Sequence, residues 1–393
     1  MASDAPKLTT RELRQWKLIA DFRARLEAQS PRPVEHPGWQ QRQLQQFDYL
    51  GLFLLALVNP TIKTLRALSA ASQLERVQQE VCRCSVALGS LSEAQHLVEP
   101  QLLEGLIGSL SEQIGGPMPT DPRQAWQLWL ARDSSIFAAT SRMFWAQYGA
   151  GNPGSPNHGV RFHVSFHLWD DKPTRVAVTP GKVCERKTWK AQWEPGATYV
   201  GDRYYAEDYQ VFGLLQERGC QFVLRLRDEA VLQVQQQNPL AAADVPAGVL
   251  SDVWGQLGST KRYRTQRLRV ITVRKPSGTL MRLVTNIPPE QMSARQILTL
   301  YRRRWQIECF FRWLKCLLGC RHWLAQSQTG VTVQLYLAVI AGLLLQLVLG
   351  RRPNQRLWER VQLYLMGWAT LEELMSAVQT ELARASAKKA KGL

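Results

Sequence analysis

Residues 335–350, LYLAVIAGLLLQLVLG, constrain the fold more than any other part of the chain. A helix that is apolar on every side is stable only where every side is covered, by lipid or by protein. The run is short for a bilayer span, which needs about 20 residues, and Gln346 interrupts it. It therefore predicts a helix at the centre of a core, with no membrane partner. The N-terminus has acidic and polar residues before any apolar stretch and no signal-peptide pattern, so the expectation is a cytoplasmic protein.

Hydrophobic period divides the remainder. In 11–30 and 40–115 apolar residues recur at helical spacing, as in Leu44, Phe47, Leu50, Leu54 and Leu57, with breaks near Pro60 and Gly89. Short helix candidates at 62–69 and 73–82 form a candidate DNA-binding unit, with helical packing or dimerisation as the alternative. Gly115, Gly116, Pro117 and Pro119 mark a linker. From Gln127 the period becomes two. QLWLARD reads as a strand ending at Asp133, RFHVSFHLWD and TRVAVTP as a hairpin, and ATYVGDRYY as a short strand ending at Asp202. A helix over 206–218 and a strand QFVLRLR follow. Residues 228–290 read as extended ribbons, with RLRVITVRK and TLMRLVTNI flanking a PSG turn. Ser293 then suits the N-cap of a helix running through Ile297 and Leu300 to Lys315, and helices over 358–364 and 370–385 end the chain.

This order predicts an α/β fold with a mixed-sheet domain interrupted by a strand-rich insertion and flanked by helical regions. The expected divisions are 1–118 (helical), 119–227 and 291–350 (two parts of one mixed-sheet domain), 228–290 (insertion) and 351–393 (helical, with a basic tail).

Charge follows the same division. The net charge is +17, yet residues 1–120 hold 12 basic and 12 acidic side chains, against 37 and 20 in 121–393. The strand-bearing part is therefore the part attracted to polyanions. Between Ser259 and Pro276 lie seven Lys or Arg and no acid. In a ribbon this either keeps an edge soluble or presents Lys261, Arg262, Arg264, Arg267 and Arg269 to a DNA backbone, the reading favoured here. The seven cysteines, odd in number, read as reduced thiols. Cys316, Cys320 and His322 lack the paired spacing of a zinc site.

In YRRRWQIECFFRWLK, Tyr301, Arg304, Glu308 and Lys315 are three, four and seven residues apart, which places them along one face of a helix. Trp305, Phe311, Leu314 and Leu318 are expected to anchor neighbouring surface to a core. The polar face joins one carboxylate to two cations and a phenol. An amphipathic, solvated helix explains such a face equally well, until Asp133 and Asp202 are added. Each follows an apolar strand, and with Glu308 they offer the hard oxygen ligands that magnesium prefers. Two ions about 4 Å apart would activate an attacking oxygen on one side of a phosphate and stabilise the leaving oxygen on the other.

The sequence resembles the DDE transposases of insertion-sequence family four. Tyr301, Arg304, Glu308 and Lys315 match that family's Tyr, Arg, Glu, Lys signature at every spacing; Asp133 in ARDSS and Asp202 in VGDRYY match its two aspartates. The resemblance spans about 127–350. Ser134 and Ser135 depart from the Gly and Thr common after the first acid, and no role is carried over to Glu185. The resemblance implies an RNase H-like catalytic domain using two Mg2+ ions, with Mn2+ as substitute, and Asp133, Asp202 and Glu308 as catalytic metal ligands. It implies double-stranded DNA with terminal inverted repeats, a target DNA, a homodimer in the synaptic complex, and cut-and-paste transfer through hairpin ends at the nucleoid. Tyr301, Arg304, Lys315 and Arg203 would contact DNA, and Trp254 or Trp323 would hold a flipped base. The alternatives are an RNase H-like nuclease or resolvase, and a domesticated DNA-binding protein without catalysis.

Overall fold

The computed structural model describes residues 15–29, 37–40, 42–115, 128–148, 157–190, 192–258, 265–317 and 323–391. Its centre is one mixed sheet. Strand β1 (Leu128–Ala138) pairs antiparallel with β3 (Asn157–His167), which pairs antiparallel with β4 (Lys172–Pro180) and, near its start, with the short β2 (Gln147–Tyr148). On its other side β1 pairs parallel with β5 (Ala197–Gly201), and β5 pairs parallel with β6 (Gln221–Arg225). The order β4-β3-β1-β5-β6, three antiparallel strands followed by two parallel ones, is the RNase H-like arrangement.

The ribbons of 228–290 continue that sheet. Strands β7 (Leu232–Gln237), β8 (Val249–Leu257), β9 (Leu268–Arg274) and β10 (Leu280–Thr285) form an antiparallel meander, and β10 pairs with β6 through Leu283–Arg225, Val284–Leu224 and Thr285–Val223. The insertion is thus hydrogen-bonded to the central sheet.

Helices cover both faces. The N-terminal region holds α1 (Gln15–Gln29), α2 (Pro37–Gln40), α3 (Gln46–Val58), α4 (Leu65–Ala71), α5 (Glu75–Val77) with a π-turn over Gln78–Cys82, α6 (Leu88–Ala94) and α7 (Pro100–Gln113). Helices α8 (Glu185–Lys190) and α9 (Gln210–Glu217) lie between strands in sequence, and α10 (Ala294–Arg303), α11 (Trp305–Leu317), α12 (Gln328–Leu349), α13 (Gln355–Leu365) and α14 (Leu371–Lys391) follow the sheet.

The apolar run behaves as its composition requires. Ser327 caps α12 by accepting from the Gly330 amide, and Gly350 ends it in the left-handed conformation at φ 67°. Between them α12 is buried along almost its whole length. Leu335–Leu345 side chains share one core with Leu50–Leu57 of α3, Leu103–Leu110 of α7 and the Phe162, Val164 and Phe166 face of β3. The N-terminal helices therefore pack directly on the core that supports the sheet. A second core, with Trp189, Tyr199, Tyr205, Phe212 and Phe222, fills the opposite face beneath α8 and α9.

β3 is buried on both faces, and its polar side chains reach across to its neighbours, although His163 Nδ1 is left without a partner. His163 Nε2 lies 2.8 Å from Thr179 Oγ1 on β4, and Ser165 accepts from Arg132 on β1. Two expectations change. β1 does not end at Asp133 but continues to Ala138, because its partner β3 extends further than β5. The helix from Ser293 begins as expected, with a capping box between Ser293 and Gln296, but is divided at Arg304. There the Arg304 amide donates to Tyr301 O at 3.0 Å and the Ile307 amide to Arg304 O at 3.2 Å, a tightened turn between α10 and α11.

Candidate active site

Sheet register brings the first two acids together. Ala131 of β1 pairs with Val200 of β5, the last rung of that parallel pairing. Beyond that rung β1 runs on through Asp133, and Asp202 directly follows the end of β5, close enough for its charge to act on the Asp133 carboxyl. β5 pairs with β1 no further than Ala131, so Asp133 is paired with Val164 of β3 on one side and has no β5 partner on the other. Asp133 Oδ1 accepts from the Ser134 amide at 2.8 Å, and Asp202 Oδ1 from the Tyr204 amide at 2.9 Å, which fixes each carboxylate against its own backbone.

The third acid reaches the pair through a cation. Arg304 Nη2 binds Glu308 one turn along, and its Nη1 lies 3.8 Å from Asp133 Oδ2. The guanidinium thus bridges the helix and the strand, one nitrogen on each carboxylate. Asp133, Arg304 and Glu308 side chains are 24%, 15% and 31% exposed, so the cluster opens to solvent on one side.

The Asp133 carboxyl is pushed up to about 7, mainly by burial, then by the charges of Glu185 and Asp202, against the lowering effects of the Ser134 amide and Arg304. Glu185 is the acid whose place the sequence did not reveal. It opens α8, its side chain is 11% exposed, and it is bound by the Tyr205 hydroxyl, with Arg161 Nη1 at 3.6 Å. No local pattern marks it, because its partners come from β3 and from the turn after β5.

The donors fit magnesium in kind: they are carboxylate oxygens, and burial together with the neighbouring acids raises the proton affinity of Asp133, which a divalent cation would offset. Among the described residues, no three His, Cys, Asp or Glu side chains stand close enough together to hold a metal ion as they are placed. Arg304 takes up part of the negative charge instead.

The expected DNA contacts divide. Lys315 lies over β1 beyond Asp133, its Nζ 5.4 Å from the centre of the Phe137 ring, and Arg203, next to Asp202, is exposed. Arg267 is exposed, bonded to Gln236 and stacked 5.2 Å over Trp254. Arg269 is a correction. It is completely buried, paired with Asp252 through Nη2 at 2.6 Å and Nε at 2.9 Å, and Nη1 donates to Ile287 O and Met292 O. All three guanidinium nitrogens are engaged in the interior, by Asp252 and by the connection after β10, so the group does not reach a phosphate. Lys261, Arg262 and Arg264 lie outside the described residues, as do Leu318, Cys320 and His322.

The aromatics also divide. Trp323 donates to Ala138 O at 2.8 Å and packs edge-on against Phe137, supporting the end of β1. Trp305, expected in the core, is 53% exposed because the turn at Arg304 rotates it outward. It helps line a recess of about 240 Å³ with Leu298, Met281, Tyr301, Arg302, Arg304 and the basic Arg274 and Lys275. Tyr301 itself is 9% exposed, and burial raises its hydroxyl above the usual phenol range.

Residues 128–344 match the family described as Transposase DDE domain. Three curated proteins are similar over part of their length: the Putative transposase y4zB of Sinorhizobium fredii (31% identical over 192 residues, 48% of this chain and 53% of that protein); the Probable transposase for insertion sequence element IS5377 of Geobacillus stearothermophilus (27% over 222 residues, 56% of each); and the Putative transposase for insertion sequence element IS4SA of Synechocystis sp. (25% over 225 residues, 55% and 59%). The chain spans between half and three fifths of the length of these relatives. Among solved structures, the piggyBac transposase synaptic complex with hairpin DNA is similar over 96% of this chain and 83% of that one, at 10% identity and a TM-score of 0.43.

Proposed function

The chain belongs to the Transposase DDE domain family, and from that membership we propose that it is an insertion-sequence transposase related to family four, which cuts DNA at terminal inverted repeats and joins the ends to target DNA. The observation that carries this is the approach of three acids from separate elements: Asp133 on β1, Asp202 just past the end of the parallel neighbour β5, and Glu308 joined to Asp133 through Arg304.

Asp133, Asp202 and Glu308 are the residues that would hold two Mg2+ ions, or Mn2+ in their place. Bound there, the ions supply an activated attacking oxygen and a stabilised leaving oxygen. The chain supplies the grip. Arg304 holds two carboxylates in the DNA-free protein and is within reach of a phosphate when those carboxylates take up metal; its planar fork suits that exchange. Lys315 adds a point charge beside β1. Arg203, Arg267 and the basic stretch at 261–264 extend the contact along the duplex. The recess beside Tyr301 and Trp305 has a basic rim and an indole that is 53% exposed, with Arg312 5.6 Å over its ring, and it is a further candidate to hold a base turned out of the stack beside Trp254 and Trp323. The protein works on DNA in the cytoplasm, as a dimer that holds two ends, and forms hairpin intermediates.

The test is cleavage and strand transfer on DNA bearing the cognate ends with Mg2+. Asp133→Asn, Asp202→Asn and Glu308→Gln each reduce cleavage at least a hundredfold while end binding in Ca2+ persists. Wild-type cleavage by any one of them removes that residue from the site. Joined products, as opposed to hydrolysed ends alone, separate a transposase from an RNase H-like nuclease or resolvase.

A further inference from the structure

We propose that Glu185 is the positioning residue that sets the separation of Asp133 and Asp202, by tying the backbone beside each aspartate to one buried carboxylate. The proposal rests on the reading of those two aspartates as metal ligands.

Two arms leave the Glu185 side chain. On one, the Tyr205 hydroxyl donates to its Oε1. Tyr205 stands three residues after Asp202, its amide donates to Asp202 O at 3.3 Å, and its ring is 1% exposed and packed edge-on against Trp189 of α8 at 4.7 Å. The turn that presents Asp202 is therefore clamped to the helix that carries Glu185. On the other arm, Oε2 faces Arg161 of β3 at 3.6 Å, and Arg161 donates to Ser134 Oγ at 3.0 Å and to Gly181 O at 3.2 Å. Ser134 in turn donates its amide to Asp133 Oδ1 at 2.8 Å. Both arms thus end on the backbone next to a candidate metal ligand, although they start from different elements.

The charge of Glu185 matters as well as its shape. A glutamate used only to accept from a tyrosine would serve as well as glutamine. A carboxylate here also faces Asp133, and without metal that repulsion is unfavourable. Retaining it makes sense where a divalent cation offsets the repulsion. The same charge anchors Arg161, whose other donors hold Ser134 and Gly181.

The experiment compares Glu185→Ala, Glu185→Gln and Tyr205→Phe with Asp133→Asn in the full chain. It reads Ca2+ affinity by titration calorimetry, metal-free melting temperature, and cleavage against Mn2+ concentration. Loss of an orienting partner typically weakens metal binding ten- to a hundredfold. Glu185→Ala and Tyr205→Phe are expected to weaken Ca2+ binding by at least tenfold, with cleavage partly recovered at raised Mn2+. Glu185→Gln, which keeps an acceptor for Tyr205, falls between them and wild type. Tyr205→Phe retains the packed ring, so it reports even if Glu185→Ala folds poorly. Unchanged Ca2+ affinity in Glu185→Ala and Tyr205→Phe, with binding lost in Asp133→Asn, overturns the proposal and leaves the metal-site reading standing. Unchanged affinity in Asp133→Asn as well overturns both.

Discussion

Arg304 Nη1 lies 3.8 Å from Asp133 Oδ2, so the cation that the sequence places one turn before Glu308 also faces an acid on the central strand of the sheet. In the metal-free protein Arg304 competes for the same carboxylates as a divalent ion would. Arg304→Ala is therefore expected to bind Ca2+ several-fold more tightly than wild type, since opposite charge has been removed from the site. It should nevertheless bind DNA ends more weakly and cleave them more slowly. Calorimetry and gel-shift assays on the same preparation decide the matter; parallel losses of both affinities would count against the exchange.

The raised proton affinity of Asp133 sets a pH dependence. Its carboxyl is pushed up to about 7 in the folded chain from an ordinary 3.8, so the folded state binds the proton more tightly than the unfolded one. Stability from this source is present below about pH 4 and is lost as pH rises through about 7. Metal-free Asp133→Asn should lose less stability between pH 5 and 8 than wild type, by on the order of 2 kcal/mol, roughly half of what a shift of that size would give at full strength. Metal must displace the proton, so Ca2+ affinity should rise about tenfold per pH unit up to about pH 7 and then level off. A flat affinity from pH 5.5 to 8 would contradict the assignment.

Arg269 and Lys315 make opposite predictions. Arg269→Ala leaves the Asp252 carboxylate, 4% exposed, without its partner and should cost about 3–5 kcal/mol in denaturant unfolding. The double variant Arg269→Met with Asp252→Leu should recover most of that loss. Neither should alter the salt dependence of DNA binding in protein that remains folded. Lys315→Ala should leave stability within about 0.5 kcal/mol of wild type and reduce the slope of log affinity against log salt by about 1.

Gly342 lies where α12 passes α11, and a Cβ at that position would collide with the six-membered ring of Trp313. Trp313 shares α11 with Glu308 and is 3% exposed, so it cannot swing into solvent without opening the core. Gly342→Ala is expected to destabilise by about 1–3 kcal/mol. Cleavage should fall more than end binding does, because the displaced helix carries the third acid. Unaltered melting and cleavage would show that α11 yields more easily than its packing implies.

Much of this arrangement was legible in the chain. The apolar run had to be central, Ser293 had to start a helix, and the spacing from Tyr301 to Lys315 had to put a carboxylate between cations. What local pattern could not supply was the length of partner strands: Asp133 sits mid-strand because β3 runs beyond β5, and no feature of QLWLARD encodes that. Arg267 and Arg269 looked alike in a basic ribbon, yet only Arg269 is met by an acid on the neighbouring strand, from a residue distant in sequence. Glu185 was given no role for the same reason, since Tyr205 and Arg161 become its neighbours only when the sheet forms. The outward turn of Trp305 follows from one tightened turn that periodicity treats as continuous helix.

The pairing of β10 along β6 has a consequence for how this chain can be shortened or rearranged. Excising 228–290 would not release a self-contained module. It would strip β6 of the neighbour that satisfies its amides and carbonyls at Val223–Arg225 and expose a row of unpaired backbone groups two strands from Asp133. A shortened chain would tend to recruit another copy along that open margin and precipitate. Length variation among functional relatives should accordingly concentrate in the turns between β7 and β10, with the strand that borders β6 retained.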